Sequence, residues 1–218
     1  SDIIESVKRG GNISLFQYTK SFDGFPLNEE SMRISPEEIQ KSYEYINEEE
    51  IEAIKEARSR LECVSKRLLE SILVDIEFNG IPISQRYSPL ESIGCYVPGG
   101  RAGYPSSLIM SVTPAKCAGI DRIVVCTPPS KQGDINPITL VAADICGVDE
   151  IYRIGGAQAI AALAYGTESI EPVSKIVGPG NKYVTAAKRA VSQDVPIDMP
   201  AGPSELLILA DETADAML

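Results

Sequence analysis

From Ile93 onward the chain repeats one phrase: a short run rich in β-branched residues, a glycine turn, then a segment of helical character. Strands are predicted at residues 93–97, 122–126, 150–154 and 175–177. Helices are predicted around 107–118, at 137–146 and 157–165, and from Asn181 to about residue 191. Pro114 must kink the first of these helices or lie near its end, and Gly147 suits a helix C-cap. Two more short strands are read at 196–199 and 206–209. Strands that alternate with helices imply right-handed crossovers and a mostly parallel sheet. The fold class is therefore α/β.

In a parallel sheet every strand ends on the same side. Three glycine-bearing junctions then converge there: Gly155-Gly156-Ala157-Gln158, Gly178-Pro179-Gly180-Asn181 and Ala201-Gly202-Pro203-Ser204-Glu205. Pro98-Gly99-Gly100 joins them. Glycine permits close ligand approach, and helix N-termini offer unpaired N–H groups and a positive dipole end. Pyrophosphate or carboxylate is favoured at such an edge. The dinucleotide fingerprint is only partly met. Gly178 and Gly180 supply its first two glycines, Tyr183 stands where the third belongs, and Asp198 lies about 20 residues on, where a ribose-binding acid is often found. A nucleotide site and a set of plain turns and caps are both compatible with these residues. Gln158 and Asn181 likewise read as helix-start caps or as amides facing a ligand. Ser204 can hydrogen-bond a ligand. With no histidine in the chain, no Ser-His-Asp or Cys-His arrangement can form within it, nor a zinc site built on histidine.

Before Ile93 the pattern differs. Residues 1–73 read as helical. Ser35-Pro36-Glu37-Glu38 is a capping box with proline at the first helical position, and Asn47 with Glu50 fits the start of a longer helix. Glu48-Glu49-Glu50 reads as its solvated first turn. Ile51, Ile54, Ala57, Leu61, Val64, Leu68 and Ile72 then keep helical spacing, as core or as an interface. Residues 74–87 alternate around Asn79-Gly80, a β-hairpin, and Ser88-Pro89 begins the passage to the next unit. At the other end, Asp211-Glu212-Thr213 supplies helix-start chemistry for an apolar segment that stops at Leu218. A frayed terminus would explain this; a chain that stops inside a larger fold is the reading adopted.

Composition narrows the partners. The 218 residues are 44 % hydrophobic with a net charge of −11, enough for one core or two small ones. The charge argues against nucleic acid or an anionic membrane as partner. No apolar run approaches the ~20 residues of a membrane span, and no signal-peptide pattern opens the chain. Five cysteines with irregular spacing and no Cys-x-x-Cys read as reduced, buried thiols of a cytoplasmic protein. Cys95, beside a glycine-rich loop, is a conceivable reactive thiol.

Four stretches closely resemble the histidinol dehydrogenase family. They are Tyr96-Val97-Pro98-Gly99-Gly100, Gly155 through Gly166, Lys175 through Asn181, and Ile197-Asp198-Met199-Pro200-Ala201-Gly202-Pro203-Ser204-Glu205. Phe22-Asp23-Gly24 adds a weaker likeness. The resemblance implies an oxidoreductase that converts L-histidinol to L-histidine with two NAD⁺, the last step of histidine biosynthesis. By motif, Tyr96, Gln158 and Asn181 resemble its NAD-contacting residues, and Ser204 a substrate-contacting one. The implied fold is an incomplete Rossmann-like parallel sheet at 93–203. A helical and hairpin segment at 1–92 precedes it, and a return strand with a helix start at 204–218 leads back into the first domain. Family members are about twice as long. Their zinc ligands and Glu-His acid–base pair lie almost wholly past the Pro203-Ser204-Glu205 motif. No catalytic or metal-binding residue is thus expected in this chain, which should be inactive alone. A non-catalytic nucleotide-binding module and a half-enzyme needing a separate C-terminal partner are the alternatives. The family's assembly implies a homodimer.

Overall fold

The computed structural model describes residues 2–99, 103–199, 207–211 and 213–214. Its first part is helical: α1 (Asp2–Phe22), α2 (Glu29–Met32), α3 (Pro36–Ser42) and α4 (Glu48–Ser71). Helix α1 bends at Gly11, and Glu168 closes the bend by accepting a hydrogen bond from the Asn12 backbone N–H at 2.7 Å. That bond holds the Glu168 carboxyl below its ordinary range. The predicted capping box forms between Ser35 and Glu38, and the helix start read at Asn47 forms a second one with Glu50. A third, Asn28 with Ser31, was not read because serine replaces the usual Glu or Gln in its return leg.

The long apolar stripe of α4 divides. Ile54 is buried and Ile51 and Leu61 pack against the core, whereas Val64, Leu68 and Ile72 are exposed. The hairpin follows as β1 (Val74–Phe78) and β2 (Ile81–Gln85), turning through Asn79 and Gly80, both at positive φ. Ile76 faces Ile83 across it, and both are exposed, as are Phe78 and Ile81.

A four-stranded parallel sheet forms the centre: β3 (Ser92–Tyr96), β4 (Arg122–Cys126), β5 (Glu150–Tyr152) and β6 (Ile176–Val177), in the order β5-β4-β3-β6. Helices α5 (Pro105–Cys117), α6 (Pro137–Cys146) and α7 (Gly156–Tyr165) make the crossovers, and α8 (Lys182–Val191) follows β6. This is the incomplete Rossmann-like sheet. Strand residues alternate between two cores. Tyr96, Val124, Cys126, Tyr152 and Ile176 face α1, α7 and α8; Ile93, Cys95, Ile123, Val125 and Ile151 face α4, α5 and α6. Gly94 lets α7 lie close, since a Cβ there would sit 2.9 Å from Leu163.

Several boundaries differ from the sequence reading. Strand β5 ends at Tyr152, because the Arg153 N–H turns to the Met32 carbonyl at the end of α2. The strand read at 196–199 is a single parallel bridge from Ile197 to Ile176. Residues 207–209, the described part of the strand read at 206–209, carry no strand pairing, and Leu207, Ile208 and Leu209 are exposed. A strand requires a neighbour's amides, and none of the described residues supplies one there. Asp211 forms a local turn, its carboxylate accepting from the Thr213 N–H and hydroxyl. Among the described residues no helix is long and apolar enough to cross a membrane.

Candidate functional site

The strand order creates a crevice. From β3 the chain proceeds outward through β4 and β5, then crosses back to place β6 on the other side of β3. In open α/β sheets ligands settle outside the strand ends at such a reversal. Tyr96 closes β3 at this point and Gly178 follows β6.

Gly178 sits at φ +110°, and a Cβ on it would lie 2.1 Å from the Tyr96 carbonyl oxygen. Only glycine fits. Its peptide is held from both ends. The Asp198 carboxylate accepts from the Gly178 N–H at 2.8 Å, and the Lys188 ammonium donates to the Gly178 carbonyl at 2.9 Å. Lys188 and Asp198 also pair with each other. The Lys188 side chain is only 8 % exposed, so it serves this loop and not solvent. Asp198, placed by spacing where a ribose-binding acid belongs, is therefore engaged internally.

On the other side of Tyr96 lies the start of α7. Gly155 is pressed against Pro128, which follows β4: a Cβ on Gly155 would meet the proline ring at 2.4 Å. Gly155, the N-cap of α7, has no side chain to cap it. The Gly156 N–H instead donates to the Tyr96 hydroxyl at 3.2 Å. Burial pushes that hydroxyl up to about 12, with the Asp23 carboxylate adding to the effect. It stays protonated and keeps its own hydrogen to give. Gln158, two residues on in the same turn, is 1 % exposed, and neither its carbonyl oxygen nor its amide nitrogen has a partner among the described residues. The capping alternative for Gln158 is thus not met.

Asn181 does cap. Its side-chain oxygen accepts from the Tyr183 and Val184 N–H groups at 2.9 and 3.1 Å, and the residue is exposed. Tyr96, Gln158 and the Gly178 loop leading to Asn181 come together at the crevice. Ser204, with the whole of its junction, lies outside the described residues. Cys95 is fully buried and its thiol is pushed up to about 12 by burial, which removes the reactive-thiol reading. Cys126 and Cys146 are also buried, while Cys63 is exposed. Lys188 was missed, although a lysine on the apolar stripe of α8 with Val184, Ala187 and Val191 was a readable signal. Asp23 carried only the weak likeness of Phe22-Asp23-Gly24 and no signal from spacing.

Comparison with known proteins bears on the family and the fold. The histidinol dehydrogenase family model matches residues 1–218. The histidinol dehydrogenase of Archaeoglobus fulgidus is 49 % identical over 214 residues, covering 98 % of this chain and 52 % of that protein. That of Listeria innocua is 54 % identical over 212 residues, covering 97 % and 49 %. The crystal structure of histidinol dehydrogenase from Elizabethkingia anophelis superposes with a TM-score of 0.90 at 42 % identity, over 98 % of this chain and 49 % of that one. The chain spans about half the length of the curated relatives it matches. It belongs to the histidinol dehydrogenase family.

Proposed function

We propose that this chain forms the nucleotide-binding side of an NAD-dependent histidinol dehydrogenase, the cytoplasmic enzyme that oxidises L-histidinol to L-histidine. The observation that carries the reading is the Gln158 amide, buried at the strand-order reversal with both polar atoms unpartnered among the described residues. Orphaned buried amides are costly and rare, and a bound ligand would satisfy this one. NAD⁺, when bound, supplies the hydride acceptor. Gln158 offers donors and an acceptor together, the complement of a carboxamide or a ribose. Tyr96 offers its retained proton. Asn181 keeps its amide nitrogen free of the capping bonds, which use only its oxygen. Lys188 and Asp198 hold the Gly178 loop in place before any ligand arrives. Ser204 is proposed to contact L-histidinol.

The residues present do not fit the family's zinc. The chain has no histidine, and no group of three or more Cys, Asp or Glu among the described residues could hold a metal. No step is assigned to zinc in this chain.

Calorimetric titration of NAD⁺ into the purified chain tests the reading. Saturable heat is expected, with affinity reduced about tenfold or more in Gln158→Ala, the scale of one lost buried hydrogen bond. No saturable heat, or equal affinity in the variant, would overturn it. With L-histidinol, NAD⁺ and zinc, no NADH above a control lacking protein is expected. Turnover that survives repurification would refute the inactivity of the isolated chain.

A half-enzyme is favoured over a free-standing module by the uncovered apolar surface. Val64, Leu68, Ile72, Ile76, Phe78 and Ile83 are all exposed. A cleft of about 700 Å³ lined by Leu90, Ile93, Met110 and Val177 runs beside β6. A histidine-bearing C-terminal half supplied in trans is expected to restore NADH production, within a homodimer. Failure with a folded partner would count against this reading.

A further inference from the structure

Asp23 lies just past the end of α1, and its Oδ2 is fully buried without a hydrogen-bond partner among the described residues. Other partly buried carboxylates here are engaged. Glu150 accepts from Arg122 and Tyr152, and Asp198 from Gly178 and Lys188. An unpartnered buried carboxylate oxygen is unfavourable to the fold, so something other than stability accounts for Asp23.

Its surroundings indicate what. The Asp23 carboxylate adds to the upward push that burial exerts on the Tyr96 hydroxyl, and that hydroxyl accepts from the Gly156 N–H. Helix α1 packs on α7, and α7 carries Gln158 with its two orphaned atoms. The segment after Asp23 is pinned, because Phe25 packs on Gly133, where a Cβ would meet its ring at 2.3 Å. The Asp23 segment lies against the loop that follows β4, beside the strand end where Tyr96 pairs with Cys126, and among the described residues neither the Asp23 acceptor nor the Gln158 amide has a partner. A carboxylate repels a phosphate but accepts from a hydroxyl. The acid that sequence spacing would assign to a ribose, Asp198, is already consumed by Lys188 and Gly178.

We propose that Asp23 is a further binding residue of this site, its carboxylate accepting a hydrogen bond from a ribose hydroxyl of the bound nucleotide. The inference rests on the reading of Tyr96 and Gln158 as a nucleotide site. NAD⁺ carries two riboses, and fragments separate them.

The test titrates NAD⁺, AMP and nicotinamide mononucleotide into the chain, Asp23→Asn and Gln158→Ala, at pH 8. Asp23→Asn is expected to weaken NAD⁺ about tenfold or more, a charge-assisted bond being at stake. The same loss should appear with one of the two mononucleotides. The deoxyribose form of that mononucleotide should bind the parent and Asp23→Asn equally. Equal NAD⁺ affinity in parent and Asp23→Asn, with Gln158→Ala weakened, overturns the role of Asp23 and leaves the nucleotide site standing. No saturable binding by the parent overturns both. Thermal unfolding supplies a second readout: Asp23→Asn should melt no lower than the parent at pH 8. A melting point several degrees lower together with lost binding would make Asp23 structural and overturn the proposal.

Discussion

At the scale of single residues, Gly178 is the position with least freedom. Gly178→Ala must relieve a backbone collision at Tyr96 and a positive φ together. A loss of about 3 kcal/mol is expected in denaturant unfolding, the upper range for such strain. Asp23 makes a pH prediction. Burial raises its carboxyl from 3.8 to about 6, so the folded chain holds that proton more tightly than the unfolded chain. The contribution to stability is complete below the unfolded value and is lost as pH rises through about 6. Asp23→Asn should flatten the fall in melting temperature across that window, and an unchanged profile would contradict the burial. The thiols give a third check. Cys95 is buried with its thiol pushed up, so a thiol reagent should modify exposed Cys63 quickly and leave Cys95 unreacted until unfolding. Gly178, Asn181 and Gln158 were legible as a class because glycine and amides mark strand-to-helix junctions. Asp23 was not, since only the tertiary fold brings the end of α1 to Tyr96.

At the scale of elements, caps and clamps decide the boundaries. Ser35→Ala removes one leg of the box that starts α3 and should cost about 1 kcal/mol by chemical denaturation. Lys188→Met leaves Asp198 without its cation and the Gly178 carbonyl without its donor. A loss of about 3 kcal/mol is expected, the lower end for breaking a buried pair, because Asp198 is about a third exposed. Helix α6 was read to its observed ends, because Asn136-Pro137 and Gly147 punctuate both. The same was true of β4, whose apolar run is bounded by Asp121-Arg122 and Thr127-Pro128. Strand β5 was read two residues long because Arg153 and Ile154 look strand-like, yet Arg153 answers to Met32 in a distant helix. Periodicity could not divide the α4 stripe either. It records which residues share a face, not how far along the helix a neighbour reaches.

At the scale of the whole molecule, the α/β class and the converging junctions were legible from alternation alone. The strand order was not, because spacing does not say on which side of β3 the strand β6 will land. The uncovered apolar surface has a measurable consequence. The double variant Phe78→Ser, Ile83→Ser should shift the melting point of the isolated chain by no more than about 2 °C, since both side chains are exposed. It should nonetheless weaken reconstitution with a C-terminal half, read as NADH production in trans. The order β5-β4-β3-β6 also bears on how the protein is made. The inner strand β3 meets its second neighbour only when Ile176 arrives opposite Gly94, about 80 residues later. At roughly 5–20 residues per second of synthesis, the middle of the finished sheet is a bare edge on the ribosome for several seconds. During that interval the row of amides at Gly94 and Cys95 is open to pairing with another nascent chain.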